Sequence, residues 1–135
     1  MWEQKVDGSG CVHCVNDTYN WFDARESFIP AVNDSAPCDM TSCPGPVTGL
    51  GGYHDWRLPT VAELQTIVDL TVLGCGSGSL CIDSIFEPTT AGLYWSSTTF
   101  AGDSSLAWDV TFNGGNVVID YKIASQPVRA VRGGR

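Results

Sequence analysis

The residues of this sequence best suited to chemistry are two cysteines that flank a histidine, in the run Cys11-Val12-His13-Cys14. Cysteines at this spacing bind zinc or form redox pairs. A zinc site needs about four such ligands, and a redox pair needs a thiol of lowered pKa at the start of a helix. Neither context is visible here, and haem attachment would require the histidine after the second cysteine. We predict a structural disulfide, with metal binding and redox activity as the alternatives.

The other cysteines extend this prediction along the chain. Six cysteines in 135 residues are typical of proteins in an oxidising compartment. Short separations favour the pairs Cys11–Cys14, Cys38–Cys43 and Cys75–Cys81, while a crossed pairing between the first two loops stays open. Rings this small fix the shape of a loop more than the stability of the fold. We expect an extracellular or cell-surface protein, with the periplasm as the alternative.

Other residues that carry catalysis are scarce. Only His13 and His54 are available as imidazole bases, and the sequence contains no Ser-His-Asp order, no paired-carboxylate motif and no phosphate-binding loop. His54 precedes Asp55 and Trp56, and we interpret it as a surface or hydrogen-bonded residue. The sequence therefore predicts a protein that is not an enzyme.

Charge and hydropathy exclude two classes of partner. The net charge is −8 with seven basic residues, which leaves no basic footprint for nucleic acid. No stretch approaches the ~20 apolar residues of a membrane helix, and the polar start Met1-Trp2-Glu3-Gln4-Lys5 lacks the features of a signal peptide. The length suits one domain. We predict a single domain over 1–135, cut from or part of a longer secreted chain, without nucleic-acid binding or membrane insertion.

The first half of the chain predicts two helices separated by a long loop. Apolar residues recur at helical spacing from Trp21 to Val32, and Pro30 favours an early end because proline costs ~3 kcal/mol inside a helix. The run Thr60-Val61-Ala62-Glu63 is a capping box, and the apolar stripe behind it predicts a helix from about 60 to 71. The segment 34–52 is rich in turn-forming residues and predicts a loop.

Short strands dominate the second half. Candidates lie near 93–98, 107–112, 116–121 and 127–132, and residues 1–6 are a further candidate at the start of the chain. The run Asn113-Gly114-Gly115-Asn116 predicts a tight hairpin between the middle two, because glycine adopts the positive φ that such turns require. Two helices followed by a strand-rich half indicate an α+β domain.

Several blocks of the chain, in this order, resemble those of one known family. They are Met1-Trp2-Glu3, Thr18-Tyr19-Asn20-Trp21, Tyr53-His54-Asp55-Trp56-Arg57-Leu58-Pro59-Thr60, Tyr94-Trp95-Ser96-Ser97, Ala107-Trp108 and Val128-Arg129-Ala130-Val131-Arg132-Gly133-Gly134. Through them the chain resembles, nearly end to end, the Lcl C-terminal domain family, named for a bacterial collagen-like adhesin that ends in it.

The resemblance implies a C-type-lectin-like fold that is distantly related to the formylglycine-generating-enzyme group. Such a fold packs two helices on a small twisted antiparallel sheet, with long loops that we expect disulfides to pin. The enzymes of that group use cysteines in the C-terminal region of the fold, whereas the last cysteine here is Cys81. This difference removes the reaction, so a degenerate enzyme of that type is only a second alternative.

The resemblance to a C-type-lectin-like fold also implies that the chain could bind calcium. Calcium-dependent C-type lectins hold the ion with Glu-Pro-Asn or Gln-Pro-Asp and Trp-Asn-Asp triplets. The nearest triplets here are Glu87-Pro88-Thr89, Gln126-Pro127-Val128 and Trp108-Asp109-Val110, which supply too few oxygens for a shell of about six to eight. We predict no metal and no cofactor, with a structural calcium at Asp103 or Asp109 as the open alternative.

Two arginines, Arg57 and Arg132, lie inside apolar blocks. We predict that they pair with a carboxylate such as Glu63 or Asp69 and with loop carbonyls, rather than with a ligand. The tryptophans with apolar neighbours are interpreted as core residues: Trp21, Trp56 and Trp95.

Aromatic and small polar residues in the second half predict a ligand-binding face made of Phe100, Asp103, Asn113, Asn116 and Tyr121. Aromatic rings stack on sugars, and Asn and Asp bond hydroxyls. We expect the antiparallel strands to bring these residues together while the helices stay behind the sheet. The predicted function is non-catalytic recognition or adhesion through a glycan or a surface protein. The alternative is a structural part of an extracellular appendage or homo-oligomer.

Overall fold

The computed structural model describes residues 1–10, 13–33 and 50–133, and these form an α+β fold. Its helical elements are α1 (Trp21–Asp23), a π-helical segment (Ala24–Phe28), α2 (Ile29–Asn33) and α3 (Val61–Thr66), with single 3-10 turns at Leu50–Gly52 and Ser84–Phe86. Its strands are β1 (Thr18–Tyr19), β2 (Leu93–Thr99), β3 (Leu106–Thr111), β4 (Val117–Tyr121) and β5 (Gln126–Pro127).

The first helical segment runs without interruption from α1 to the end of α2. Asn20 caps it, since its side chain accepts a hydrogen bond from the Asp23 N–H. The turn before Pro30 is π-helical, and the N–H of Ile29 donates to the carbonyl of Ala24 five residues back. A wider turn relieves the clash between a proline ring and the carbonyl four residues before it. The expectation that Pro30 ends the helix early is therefore wrong.

The capping box at the start of α3 is confirmed, because Thr60 Oγ1 accepts from the Glu63 N–H and Glu63 Oε1 accepts from the Thr60 N–H. The helix is shorter than the predicted 60–71. Val68 pairs with Ile82 in an antiparallel bridge, and the Asp69 N–H donates to the Cys81 carbonyl. Pairing with the later segment thus ends the helix before the apolar stripe ends.

The main sheet is an antiparallel meander in the order β2-β3-β4. The predicted hairpin between β3 and β4 is confirmed, with Gly114 and Gly115 at φ of 103° and 75°. The predicted strand near 127–132 does not join this sheet. Its first residues form β5, which pairs with β1, and Val131 then bridges to Trp2 and Arg57. The candidate strand over 1–6 is likewise reduced to isolated bridges.

Two adjacent residues of β2 show that the sheet is covered on both faces. Tyr94 and Trp95 are fully buried, and successive side chains of a strand point to opposite faces. Trp95 packs in one core cluster with Phe28 of the first helical segment, whereas Tyr94 packs in a second cluster with Leu64 of α3. The helices lie against opposite faces, so the prediction that they share one side behind the sheet is wrong.

The predicted disulfide between Cys75 and Cys81 is confirmed. Cys14 is disulfide-bonded, and no cysteine of the described ranges is free. Cys11, Cys38 and Cys43 lie outside the described residues, and so does most of the loop predicted over 34–52. Within residues 1–10, 13–33 and 50–133, no helix combines the length and the apolar character that a membrane crossing needs.

Candidate functional site

The five residues predicted to form one face lie at opposite ends of the main sheet. Phe100 and Asp103 belong to the connection between β2 and β3, and Tyr121 ends β4 at that same end. Asn113 and Asn116 belong to the β3–β4 connection, roughly 17 Å away along β3. The prediction that all five come together is wrong, because consecutive connections of a meander leave opposite ends of the sheet.

An aromatic surface occupies the end that carries Phe100. The strand register sets Trp108 opposite Ile119 and Leu106 opposite Tyr121, and directly opposite side chains share one face. Phe100 packs edge-to-face on Trp108, with ring centroids 5.5 Å apart. Tyr121 is 60% exposed and Ile119 is 39% exposed. The aromatic surface, as it is called below, consists of five residues: Phe100, Leu106, Trp108, Ile119 and Tyr121.

The turn next to the aromatic surface is fixed by its own hydrogen bonds. Asp103 Oδ1 accepts from the backbone N–H and the hydroxyl of Ser105, at 2.8 and 2.7 Å. These bonds lower the pKa of the Asp103 carboxyl. A Cβ on Gly102 would lie 2.6 Å from the Phe100 ring, so glycine at this position lets the ring lie against the turn. The turn therefore holds Phe100 beside an ionised carboxylate.

The opposite end of the sheet closes on the segment that follows α3. Asn113 and Asn116 are exposed. Between them, a Cβ on Gly115 would lie 2.7 Å from Val68 and 2.9 Å from Leu70. The asparagines thus belong to a tightly packed turn that is separate from the aromatic surface.

A cleft of about 710 Å³ lies between the first helical segment, the residues before α3 and strand β2. Sequence reasoning missed it, because its walls come from three distant parts of the chain. It is called the arginine cleft, and it is lined by Arg25, Ile29, Arg57, Leu58, Thr60, Glu63 and Ser97.

One arginine of the cleft is engaged in an internal ion pair. Arg57 donates to both carboxylate oxygens of Glu63, at 2.8 Å each, and also to the Gly133 carbonyl. The Arg57 hydrogen bonds, aided by the Thr60 N–H, lower the pKa of Glu63 to about 2. The predicted pairing of Arg57 with Glu63 is confirmed.

The other arginine of the cleft is available to a ligand. Arg25 is exposed, and its guanidinium lies over the Trp21 ring at 4.5 Å from the centroid. Within the part of the chain that the structure describes, no carboxylate pairs with Arg25. Sequence reasoning missed this contact, which the spacing of four residues between Trp21 and Arg25 on a predicted helix could have indicated.

Asp109 is a buried carboxyl. The residue is fully buried on β3, and within the described residues neither carboxylate oxygen has a hydrogen-bond partner. Burial, with a smaller contribution from the charge of Asp120, raises the pKa of Asp109 to about 7. Sequence reasoning considered this residue only as a calcium ligand.

His13, the histidine of the Cys-x-x-Cys run, belongs to a buried polar cluster. The Glu3 carboxylate is fully buried and contacts Lys5 Nζ and His13 Nδ1 at 2.8 Å each, while its second oxygen accepts from the Ala130 N–H. Burial alone would raise the pKa of the Glu3 carboxyl. The charge of Lys5 and these hydrogen bonds lower the pKa by more than burial raises it, so the net shift is downward. Glu3, which contacts both His13 and Ala130, thus links the first residues of the chain to the segment around Ala130.

The remaining predicted polar residues also have internal partners. Arg132 pairs with Asp55 at 2.7 Å rather than with Glu63 or Asp69, and its guanidinium stacks on Tyr53. His54 Nδ1 is hydrogen-bonded to the Asn33 carbonyl, as predicted for a hydrogen-bonded residue. Across the described ranges, no group of three or more His, Cys, Asp or Glu side chains is arranged to hold a metal ion.

Comparison with known proteins gives a family. No curated protein matches the chain. The model of the Lcl C-terminal domain matches residues 1–132, which is nearly the whole sequence. The chain therefore belongs to the Lcl C-terminal domain family.

Proposed function

We propose that this chain is a non-catalytic recognition or adhesion module, with a C-type-lectin-like fold, at the outside of a cell. The aromatic surface is the observation that carries the proposal. It presents exposed and half-exposed rings beside the fixed carboxylate of Asp103. Rings of this kind stack on the C–H faces of sugars, and a carboxylate accepts hydrogen bonds from sugar hydroxyls.

The arrangement of the surface supports a neutral glycan or a neutral patch of a surface protein. Phe100 rests on Trp108 and on the Asp103–Ser105 turn, so little conformational freedom is lost when a ligand binds. The chain carries a net charge of −8, which disfavours an anionic partner at this surface. Binding should therefore depend weakly on salt.

The experiment is a glycan array with the wild-type chain and with Phe100→Ala/Tyr121→Ala, run with and without calcium. The double variant should lose binding and keep its circular dichroism spectrum. Two controls match it: Phe22→Ala removes an exposed ring outside the surface, and Asn113→Ala/Asn116→Ala alters the opposite end of the sheet. Both controls should bind as the wild type does. Full binding by the Phe100/Tyr121 variant would refute this surface as the site.

A second candidate function is assembly into an extracellular appendage or homo-oligomer. It is favoured by Ile123, which is 81% exposed just beyond the edge strand β4, next to Tyr121. Light scattering separates the two functions. A monomer that binds a glycan supports recognition, whereas a stable oligomer that Ile123→Asp dissociates supports assembly.

A further inference from the structure

The arginine cleft differs in chemistry from the aromatic surface. Its lining includes an exposed arginine, Arg25, the hydroxyl-bearing residues Thr60 and Ser97, and the half-buried apolar residue Ile29. Guanidinium groups bind carboxylates through paired, charge-assisted hydrogen bonds. Hydroxyl and apolar groups in the same space suit a ligand that carries both hydroxyls and C–H faces.

The charge of the cleft fits a single negative group. Arg57 and Glu63 neutralise each other through two hydrogen bonds, and Arg25 remains as the one unpaired charge of the described lining. The single positive charge of Arg25 attracts one anionic group although the whole chain is acidic. Its short-range contact outweighs the repulsion from distant acidic residues, because salt screens that repulsion.

The hydroxyls of the cleft are able to bind a ligand. Thr60 Oγ1 accepts from the Glu63 N–H at 3.2 Å, which leaves its own proton to donate. The Ser97 backbone N–H donates to the Pro59 carbonyl at 2.7 Å and fixes that residue at the cleft wall. No hydrogen bond of the Ser97 hydroxyl is found within the described residues, and the side chain is only half-buried.

From this geometry we infer that the arginine cleft is a second binding site, which takes a small hydroxylated carboxylate of the sugar-acid class. Arg25 binds the carboxylate, Ser97 and Thr60 bond the hydroxyls, and Ile29 contacts the apolar face of the ring. The site goes beyond the proposed recognition of a neutral surface, shares no residue with it and is testable without it.

Titration calorimetry with galacturonate tests the inference, with galactose as the neutral probe of the same shape. Galacturonate should bind, and galactose should bind at least tenfold more weakly. Arg25→Gln should weaken galacturonate binding by about 10- to 100-fold, since it removes a charge-assisted contact. Ser97→Ala should weaken it by about threefold to tenfold, and Arg25→Lys should restore part of the affinity.

The controls separate this site from the other one. Arg132→Gln removes the same charge outside the cleft and should leave galacturonate binding unchanged, as should Phe100→Ala/Tyr121→Ala. Equal affinity for galactose and galacturonate, full binding by Arg25→Gln, or no galacturonate binding by the wild type would overturn the inference. Equal binding of N-acetylaspartate would overturn the sugar-acid class. Each result leaves the proposal for the aromatic surface to be judged separately.

Discussion

The Asn33 side chain holds both backbone hydrogen-bonding groups of Trp56. Asn33 Oδ1 accepts from the Trp56 N–H at 2.7 Å, and Asn33 Nδ2 donates to the Trp56 carbonyl at 2.7 Å. The Asn33 side chain, at the end of α2, thus makes the two hydrogen bonds that a residue of a paired antiparallel strand would make with Trp56. It fixes the segment that carries Trp56 into the core and Arg57 into the arginine cleft.

The first prediction follows from this contact. Asn33→Ala should lower the free energy of unfolding by about 2 kcal/mol, because it removes both hydrogen bonds between the Asn33 amide and the Trp56 backbone. Trp56 is only 4% exposed, so Trp56→Ala should cost about 3–5 kcal/mol. Urea denaturation measures both. Unchanged stability in Asn33→Ala would show that water replaces the amide without loss.

The second prediction concerns the ion pair in the arginine cleft. The pKa of Glu63 is held at about 2 in the folded chain, below its ordinary value, so the pair contributes stability above pH 4.5 that is lost as the pH falls towards 2. Glu63→Gln should cost about 1 kcal/mol at pH 7, and the difference from the wild type should vanish near pH 2. A cost that does not change between pH 7 and pH 2 would contradict an electrostatic origin.

The contacts that sequence reasoning found are mostly local. Thr60 and Glu63 are three residues apart, and the chemistry of a capping box requires nothing from the rest of the fold. The pairing of Arg57 with Glu63 follows from the same short range. The hairpin at Gly114 and Gly115 depends on backbone conformations that glycine alone adopts without strain.

The contacts that sequence reasoning missed depend on which faces of the main sheet are covered by other elements. Tyr94 and Trp95 are both apolar, so their sequence gives no sign that helices cover the two faces of the sheet separately. The burial of Asp109 is set by its neighbours on other strands and not by the residues beside it. The same dependence separates Asn113 from Phe100, because only the strand order places their turns at opposite ends.

The third prediction concerns Asp109. Its pKa is raised to about 7 in the folded chain, above the ordinary aspartate value, so the unfolded chain loses this proton at a lower pH. The contribution of this carboxyl to stability is therefore greatest below pH 3.8 and falls as the pH rises to about 7. Asp109→Asn should therefore raise the free energy of unfolding by on the order of 3 kcal/mol at pH 8 and change it little at pH 3.5.

The control for Asp109 removes an equal charge from the surface. Asp7 is exposed, and Asp7→Asn should leave stability unchanged at both pH values. Thermal unfolding of the three proteins at pH 3.5 and pH 8 provides the comparison. If Asp109→Asn is less stable than the wild type at pH 8, the carboxylate has a partner in solution, and a bound cation, tested by adding calcium, becomes the leading explanation.

The fourth prediction concerns the position of Phe100. A side chain at Gly102 would meet the Phe100 ring at 2.6 Å, so Gly102→Val should displace the ring from its contact with Trp108. The backbone at this glycine does not need a positive φ, and the turn is exposed, so we expect a loss of stability below about 1 kcal/mol. Glycan binding should fall with the ring out of place, while Gly102→Ala, which adds the same Cβ but not the two γ-methyl groups of valine, should give a smaller loss. Near-ultraviolet circular dichroism reports the ring contact, and normal glycan binding by Gly102→Val would mean that Phe100 binds no ligand.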